Sequence, residues 1–435
     1  MIRTAGGAIR HVLILGLVLS LLAGVGCDDD SSATTEQGTA PVVGEPSNET
    51  ADAGEGSTFS LAASNAAFAF DLYRTLQRDP GNLFLSPYSI SAALAMTLAG
   101  AREETAAQMS EVLHFDADQG QVHEAFRDLD EVLSRRGEVA APYEGEGFSF
   151  HVVNAMWPQK GYPFLDSFVG TLTANYGAGL HELDFEANPE SARSTINEWV
   201  SDQTEERIRD LLPEGAVDES TRLVLTNAIY FNAPWLEAFN PDNTTTEPFR
   251  LLSGETIDVS MMHKTESIRY AEWDGGVAFE LGYNGDELSM VVLVPDEGAF
   301  ETFDASLTAG VFDGIIESFE WYRVALGLPR FEYTYAASLV PPLRALGMTD
   351  AFDEELADFS GITGERDLVI SDVLHKAFVS VDEQGTEAAA ATAVLFRATG
   401  MPAEPFTLTV DRPFLFVLRD RPTGSVLFIG RVLEP

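Results

Sequence analysis

One cysteine, Cys27, stands in a chain of 435 residues, so no intramolecular disulfide can form and packing must hold the fold. The seven histidines are scattered, with no His-Glu-x-x-His pattern and no cysteine pair, which removes the common zinc arrangements. Asp116-Ala-Asp118 begins like a calcium loop but lacks the later ligands. There is no glycine-rich phosphate loop and no Gly-x-Ser-x-Gly elbow, so no metal or other cofactor is expected. Lysine is almost absent, represented by Lys160, Lys264 and Lys376 alone. With 26 Lys and Arg against 69 Asp and Glu, the net charge is −43, a balance that repels polyanions and excludes nucleic acid as a partner.

Long apolar runs are also missing, apart from Val12 to Ala23, which is too short to cross a membrane comfortably. Arg3 and Arg10 precede it, so residues 1–27 read as an export signal ending at Gly24-Val-Gly-Cys27. A lone cysteine there resembles a bacterial lipoprotein site, with Cys27 lipidated. Gly24 departs from that pattern, where leucine is usual; a plain secretory signal and an extended, uncleaved anchor are the alternatives. Residues 28–57 carry Asp28-Asp-Asp30, then Ser, Thr, Gly, Pro and acids with few large apolar side chains. Such a stretch cannot bury enough surface to order itself, and reads as a disordered acidic linker.

The remaining 58–435 is 45% hydrophobic and 22% charged over the chain, an ordinary globular composition without repeats or an internal boundary. Leu61, Phe68, Leu72 and Leu76 recur at helical spacing, and Ser89 to Leu98 reads as a second helix after a Ser-Pro turn. Phe148–Met156, Leu223–Phe231, Val324–Tyr333 and Leu368–Val381 read as strands. Phe279–Tyr283 and Glu287–Val294 form a hairpin about Asn284-Gly285, and the last residues form two strands about Asp420–Gly424. The class is a mixed α+β domain.

The most informative run is Asp382-Glu-Gln-Gly-Thr-Glu-Ala-Ala-Ala-Ala-Thr-Ala-Val394. Four alanines favour helix when read alone. Their flanks, Val373–Val381 and Phe406–Val410, are strand-like, so the run is expected to be a long loop between strands. With those flanks it resembles the reactive-loop hinge of the serpins, the serine-protease inhibitor family. Asn82-Leu-Phe-Leu-Ser-Pro-Tyr-Ser-Ile90, Thr226-Asn-Ala-Ile-Tyr-Phe231 with Trp235 and Phe239, and Leu408-Thr-Val-Asp-Arg-Pro-Phe-Leu-Phe-Val-Leu418 resemble the family's other signatures. Four ordered motifs are specific where one alone is weak.

The resemblance implies the serpin fold, with three β-sheets, about nine helices and an exposed reactive loop. It implies a serine-protease inhibitor, not an enzyme, acting as a suicide substrate. The protease would cut the loop and form an acyl-enzyme, and the cut loop would then insert into the central sheet and carry the protease away. The hinge would be Glu383, Gly385, Thr386, Glu387, Ala388, Ala389, Ala390, Ala391 and Thr392. Gly385 is expected to swing through angles closed to other residues. Thr386, Ala388, Ala390, Thr392, Val394 and Phe396 alternate onto one face, where small side chains suit burial.

Counting from Glu383 at the spacing of inhibitory members puts the reactive bond at Thr399-Gly400, while counting back from Arg412 lands near Pro402. Arg397-Ala398 is the trypsin-like alternative, and Ala398-Thr399 would suit an elastase-like enzyme. Ser86, Ser89, Asn227 and His375 fall at the family's shutter, a hydrogen-bond network beneath the sheet. Read without the resemblance, serine, histidine and an amide suggest a hydrolase, but no acid is placed to orient the histidine. Trp235 and Arg330 fall at the breach, where insertion starts. Arg330 is expected to pair with Glu383 as an exposed ion pair worth about 0–1 kcal/mol. The implied partners are a serine protease, with cysteine proteases as a further class, and a membrane reached only through the N-terminal lipid. The chain is expected to be exported and monomeric. A non-inhibitory serpin, acting as a binding or chaperone-like module, is the alternative function.

Overall fold

The computed structural model describes residues 59–136, 149–386 and 404–435. Cys27, the 28–57 linker, Glu387 to Thr392 and every candidate reactive bond lie outside the described residues.

Helix α1 (Leu61–Leu76) starts where the Ser60 side chain accepts from the Ala63 amide, and it buries Phe68, Leu72 and Leu76. After β1 (Leu83–Leu85), Ser86 caps α2 (Pro87–Leu98), with Pro87 in the first turn where its missing N–H costs nothing. Then come α3 (Glu103–Val112) and α4 (Gln119–Ser134). Asp118, one of the calcium-like acids, caps α4 in a reciprocal pair with Gln121. Strand β2 (Ser149–Pro158), α5 (Asp166–Tyr176), β3 (Gly179–Leu180), α6 (Pro189–Gln203) and β4 (Leu223–Pro234) follow. Next are β5 (Thr245–Arg250), the long β6 (Thr256–Trp273), β7 (Gly276–Gly282) and β8 (Leu288–Pro295), then α7 (Phe300–Ser306) and α8 (Ala309–Glu317).

The run 324–333, read as one strand, is two. Arg330 separates β9 (Glu320–Pro329) from β10 (Phe331–Ser338), and the two strands enter different sheets. Helices α9 (Val340–Leu346) and α10 (Ser360–Thr363) precede β11 (Leu374–Val381), so 368–373 is not part of that strand. The chain ends through β12 (Gly385–Thr386), β13 (Phe406–Thr409), β14 (Phe414–Asp420) and β15 (Val426–Val432).

The fold is mixed α+β with three sheets. One is six-stranded, in the order β10-β11-β12-β4-β2-β3. The other two run into one another along β6, in the order β1-β15-β14-β8-β7-β6-β9-β13 with β5 also on β6. Helix α2 lies between β4 and β15, and its buried Tyr88, Ile90, Leu94 and Met96 belong to the main core. A smaller core of Trp157, Phe185, Ile196 and Val200 packs under α6.

Candidate functional site

The site forms where β11 ends. Asp382 makes a tight turn there. Its amide donates to the Gly385 carbonyl at 3.0 Å, and its Oδ1 accepts from the amides of Gln384 at 2.8 Å and Gly385 at 3.3 Å. The turn sends Gly385 and Thr386 back between two strands. Thr386 pairs antiparallel with Val381 of β11 and Ala233 of β4, and Gly385 with Pro234. Because β12 runs against both neighbours, β4 and β11 run parallel to each other. An antiparallel strand fits between them.

Gly385 is required here for torsion, with φ at 158°, and for space. A Cβ would fall 2.2 Å from the Ala233 oxygen and 2.7 Å from Pro234 Cα. Thr386 is 2% exposed, and its hydroxyl meets the Tyr283 hydroxyl at 2.7 Å. Tyr283 stacks on Trp235 at 4.7 Å with the rings 7° apart. Trp235 in turn donates its indole N–H to the Asp382 carbonyl at 3.0 Å and its amide to the Gln384 carbonyl at 2.9 Å. Such a stack adds about 0.5–1.5 kcal/mol beyond its burial.

Arg330 and Glu383 meet, with Arg330 Nε donating to Glu383 Oε1 at 2.8 Å and the second guanidinium nitrogen to Oε2. The expectation of an exposed pair is corrected. The Glu383 side chain is only 4% exposed although that of Arg330 is 45% exposed, because Phe239 N holds the Glu383 carbonyl at 2.9 Å and Thr244 donates to the carboxylate. Burial alone would raise the Glu383 pKa. The bonds from Arg330 and Thr244 outweigh it and hold the carboxyl below its usual range.

Deeper in the sheet, the Ser86 amide donates to His375 Nε2 at 3.3 Å, and the Ser86 hydroxyl donates to the Leu427 carbonyl at 2.9 Å. The Ser89 amide donates to Ser86 Oγ at 3.2 Å. Burial lowers the His375 pKa to about 4, so the ring is neutral at pH 7. The imidazole thus meets the serine amide, not its hydroxyl, and a nucleophile–base contact is missing from this pair. Asn227 opposes Asn154 in the β2–β4 register, and its side chain is outside the described residues. Between β4 and β11, below Thr386, lies a cavity of about 560 Å³ lined by Ser86, Ser89, Phe231, His375, Ala377 and Phe428 among others. Among the described residues, β4 and β11 are bridged by β12 alone.

Sequence reasoning missed three contributors. Tyr283 lies just before the Asn284-Gly285 turn, and nothing local marks it as a partner of Thr386. Thr244 is an unremarkable loop threonine. Lys264 pairs with Glu266 at 2.6 Å and lies over the rings of Phe239 at 4.4 Å and Trp235 at 5.7 Å. Its rarity as one of three lysines was the available signal.

A family model described as serpin (serine protease inhibitor) matches residues 63–435. A serpin-like protein of Thermococcus kodakarensis is 41% identical over 85% of this chain and 84% of its own. The leukocyte elastase inhibitor of Homo sapiens is 39% identical over 86% of this chain and 99% of its own. The crystal structure of uncleaved ovalbumin superposes with a TM-score of 0.75 at 29% identity, covering 86% of this chain and all of that one. The chain belongs to the serpin family of serine protease inhibitors.

Proposed function

We propose that this chain inhibits serine proteases as a suicide substrate, by inserting its cleaved loop between β4 and β11. The observation that carries the reading is the register of β12, which has already entered the sheet at Gly385 and Thr386. Continued in that register, Ala388 would oppose Phe231, Thr392 would oppose Asn227, and Phe396 would reach Leu223, where β4 begins. The sheet therefore offers a length that matches the alternating residues 386–396, small near the hinge and larger toward Phe396. The cavity of about 560 Å³ below Thr386 supplies room on the buried face.

In the trapping sequence, the protease serine attacks the carbonyl of the reactive bond, Thr399-Gly400 or alternatively Arg397-Ala398, and the new amine leaves with the C-terminal segment. Insertion then removes the ester from the geometry needed for hydrolysis. A cysteine protease would form the equivalent thioester. The human leukocyte elastase inhibitor among the relatives supports an elastase-like target, for which Ala398-Thr399 is the matching bond.

Mixing the purified chain with trypsin, elastase, chymotrypsin and subtilisin tests this on denaturing gels. A covalent high-mass band is expected, and the mass of the released peptide places the bond. Clean loop cleavage without a band against all four would turn the reading to a binding module. We further propose that Cys27 is lipidated and tethers the domain to a membrane through residues 28–57. Cys27→Ser should then move the protein from the membrane to the soluble fraction, and unchanged partitioning would remove the anchor.

A further inference from the structure

Three rings crowd together where the chain re-emerges at β13. Tyr270, Tyr322 and Phe406 have centroids 4.9 to 6.1 Å apart in edge-to-face pairs. The register explains the grouping. Tyr270 opposes Glu320 across β6 and β9, and Phe406 lies beside Val324 across β9 and β13. Side chains two apart share a face, so Glu320, Tyr322, Tyr270, Glu272 and Phe406 all point the same way. With Ser318 they line an open concavity of about 310 Å³.

Two carboxylates stand at its rim. Tyr270 donates its hydroxyl to Glu272 at 2.8 Å, and Tyr322 donates to Glu320 at 3.2 Å. Both glutamates are exposed, and among the described residues neither has a cationic partner. Aromatic faces attract cations, and paired carboxylates suit the planar fork of a guanidinium or a compact ammonium. We propose that this concavity binds an arginine or lysine side chain on the surface of the protease engaged at the reactive loop.

The location argues for that occupant, and this part rests on the inhibitor reading. From Gly400 to Phe406 the chain reaches at most ~22 Å at ~3.6 Å per residue. A protease of ~230 residues has a radius of gyration of ~17 Å, so its outer surface extends beyond that. A protease whose surface cleft holds the reactive bond is, at about twice that radius, wider than the ~22 Å the chain can span, so its flank comes within reach of the concavity. The net charge of −43 also favours a positively charged face on the partner.

The pocket is tested directly by titrating the full chain, labelled with fluorotyrosine, with ethylguanidinium chloride, against sodium chloride at equal ionic strength. Fluorine NMR should show saturable shifts for two tyrosines, one of which is assigned by its loss in Tyr322→Phe. The E272Q/E320Q variant should bind at least about fivefold more weakly. Shifts no larger than those from sodium chloride, or unchanged by that variant, would overturn the pocket.

Its role is tested by association with leukocyte elastase at low salt. E272Q/E320Q should slow association about 3–10-fold while leaving the ratio of trapping to cleavage unchanged, as expected for contacts that act on encounter. An unaltered rate beside a positive titration would overturn the docking role. Absence of any covalent complex with the unsubstituted chain would count against the inhibitor reading and leave the pocket result standing.

Discussion

The same two strands, β4 and β11, are treated differently at their two ends. At the top, β12 joins them through backbone pairing, a stacked Trp235–Tyr283 pair and the buried Glu383 carboxylate. Lower down they flank a cavity edged by Ser86, Ser89 and His375. The upper region is specific, since each group has a fixed partner and Gly385 leaves no room for a Cβ. The lower region is permissive, with the Ser86 hydroxyl satisfied by β15 and α2 and a single bond, from the Ser86 amide to His375, reaching β11. A sheet that admits a new strand needs both features. On the inhibitor reading, a seated start would fix register, and a path below that is unbridged among the described residues would let the rest follow.

The largest effect should come from destroying the seated start. Thr386 is buried against Tyr283, so Thr386→Arg would bury a guanidinium with no carboxylate beside it. The expected outcome is loss of the covalent protease complex, with loop cleavage retained, read by gel densitometry. Full trapping by this variant would remove insertion at β12 from the mechanism.

Acid should separate the two regions next. His375 is held neutral in the fold with a pKa of about 4, below its ordinary 6.5. The unfolded chain therefore binds more protons between those values, so stability is complete above pH 6.5 and falls as pH drops toward 4. The loss is on the order of 3 kcal/mol for this group. Buried His123, also lowered to about 4, adds to the same window. Glu383, lowered rather than raised, gives up its contribution only below the ordinary glutamate range, near pH 4.3 and under. The lower region is thus the first to weaken on acidification. Urea unfolding of the parent and His375→Gln between pH 7 and 4 checks this, because the variant should show a shallower pH slope. An identical slope would place the sensitivity elsewhere.

The sequence carried the elements with strong periodicity. Leu61–Leu76 is helical as its spacing dictates, and the Asn284-Gly285 turn joins β7 and β8. It misled where a strand-like run hides a change of sheet. Val324–Tyr333 places Val324, Leu326, Leu328, Phe331 and Tyr333 along one strand-like run, yet Arg330 ends one strand and donates its amide to Ser260 before the next begins. Propensity has no term for which sheet a strand joins. The site divides in the same way. Ser86, His375, Trp235 and Glu383 stand out through motifs. Tyr283 and Thr244 act through contacts 103 and 139 residues away, and such contacts leave no local trace. Gly385 was noticed for its backbone freedom, and the structure gives it a φ of 158° as well as using its missing side chain.

The finest test of the contrast is Arg330→Gln. Glutamine keeps one donor and removes the charge, leaving the buried Glu383 carboxylate with Thr244 and a single neutral bond. Because the Arg330 side chain is 45% exposed, solvent screens much of the pair, and the expected loss is about 1–2 kcal/mol rather than the larger cost of orphaning a fully buried ion. The loss should fall on the seated start alone. Hydrogen exchange should quicken at the amides of Trp235, Phe239 and Gly385, which all contact the 382–386 turn, while the Ser86 and Ser89 amides at the lower region keep their protection. If the Ser86 and Ser89 amides quicken in step, the two regions open as one unit, and the division between a specific top and a permissive path below would have to be given up.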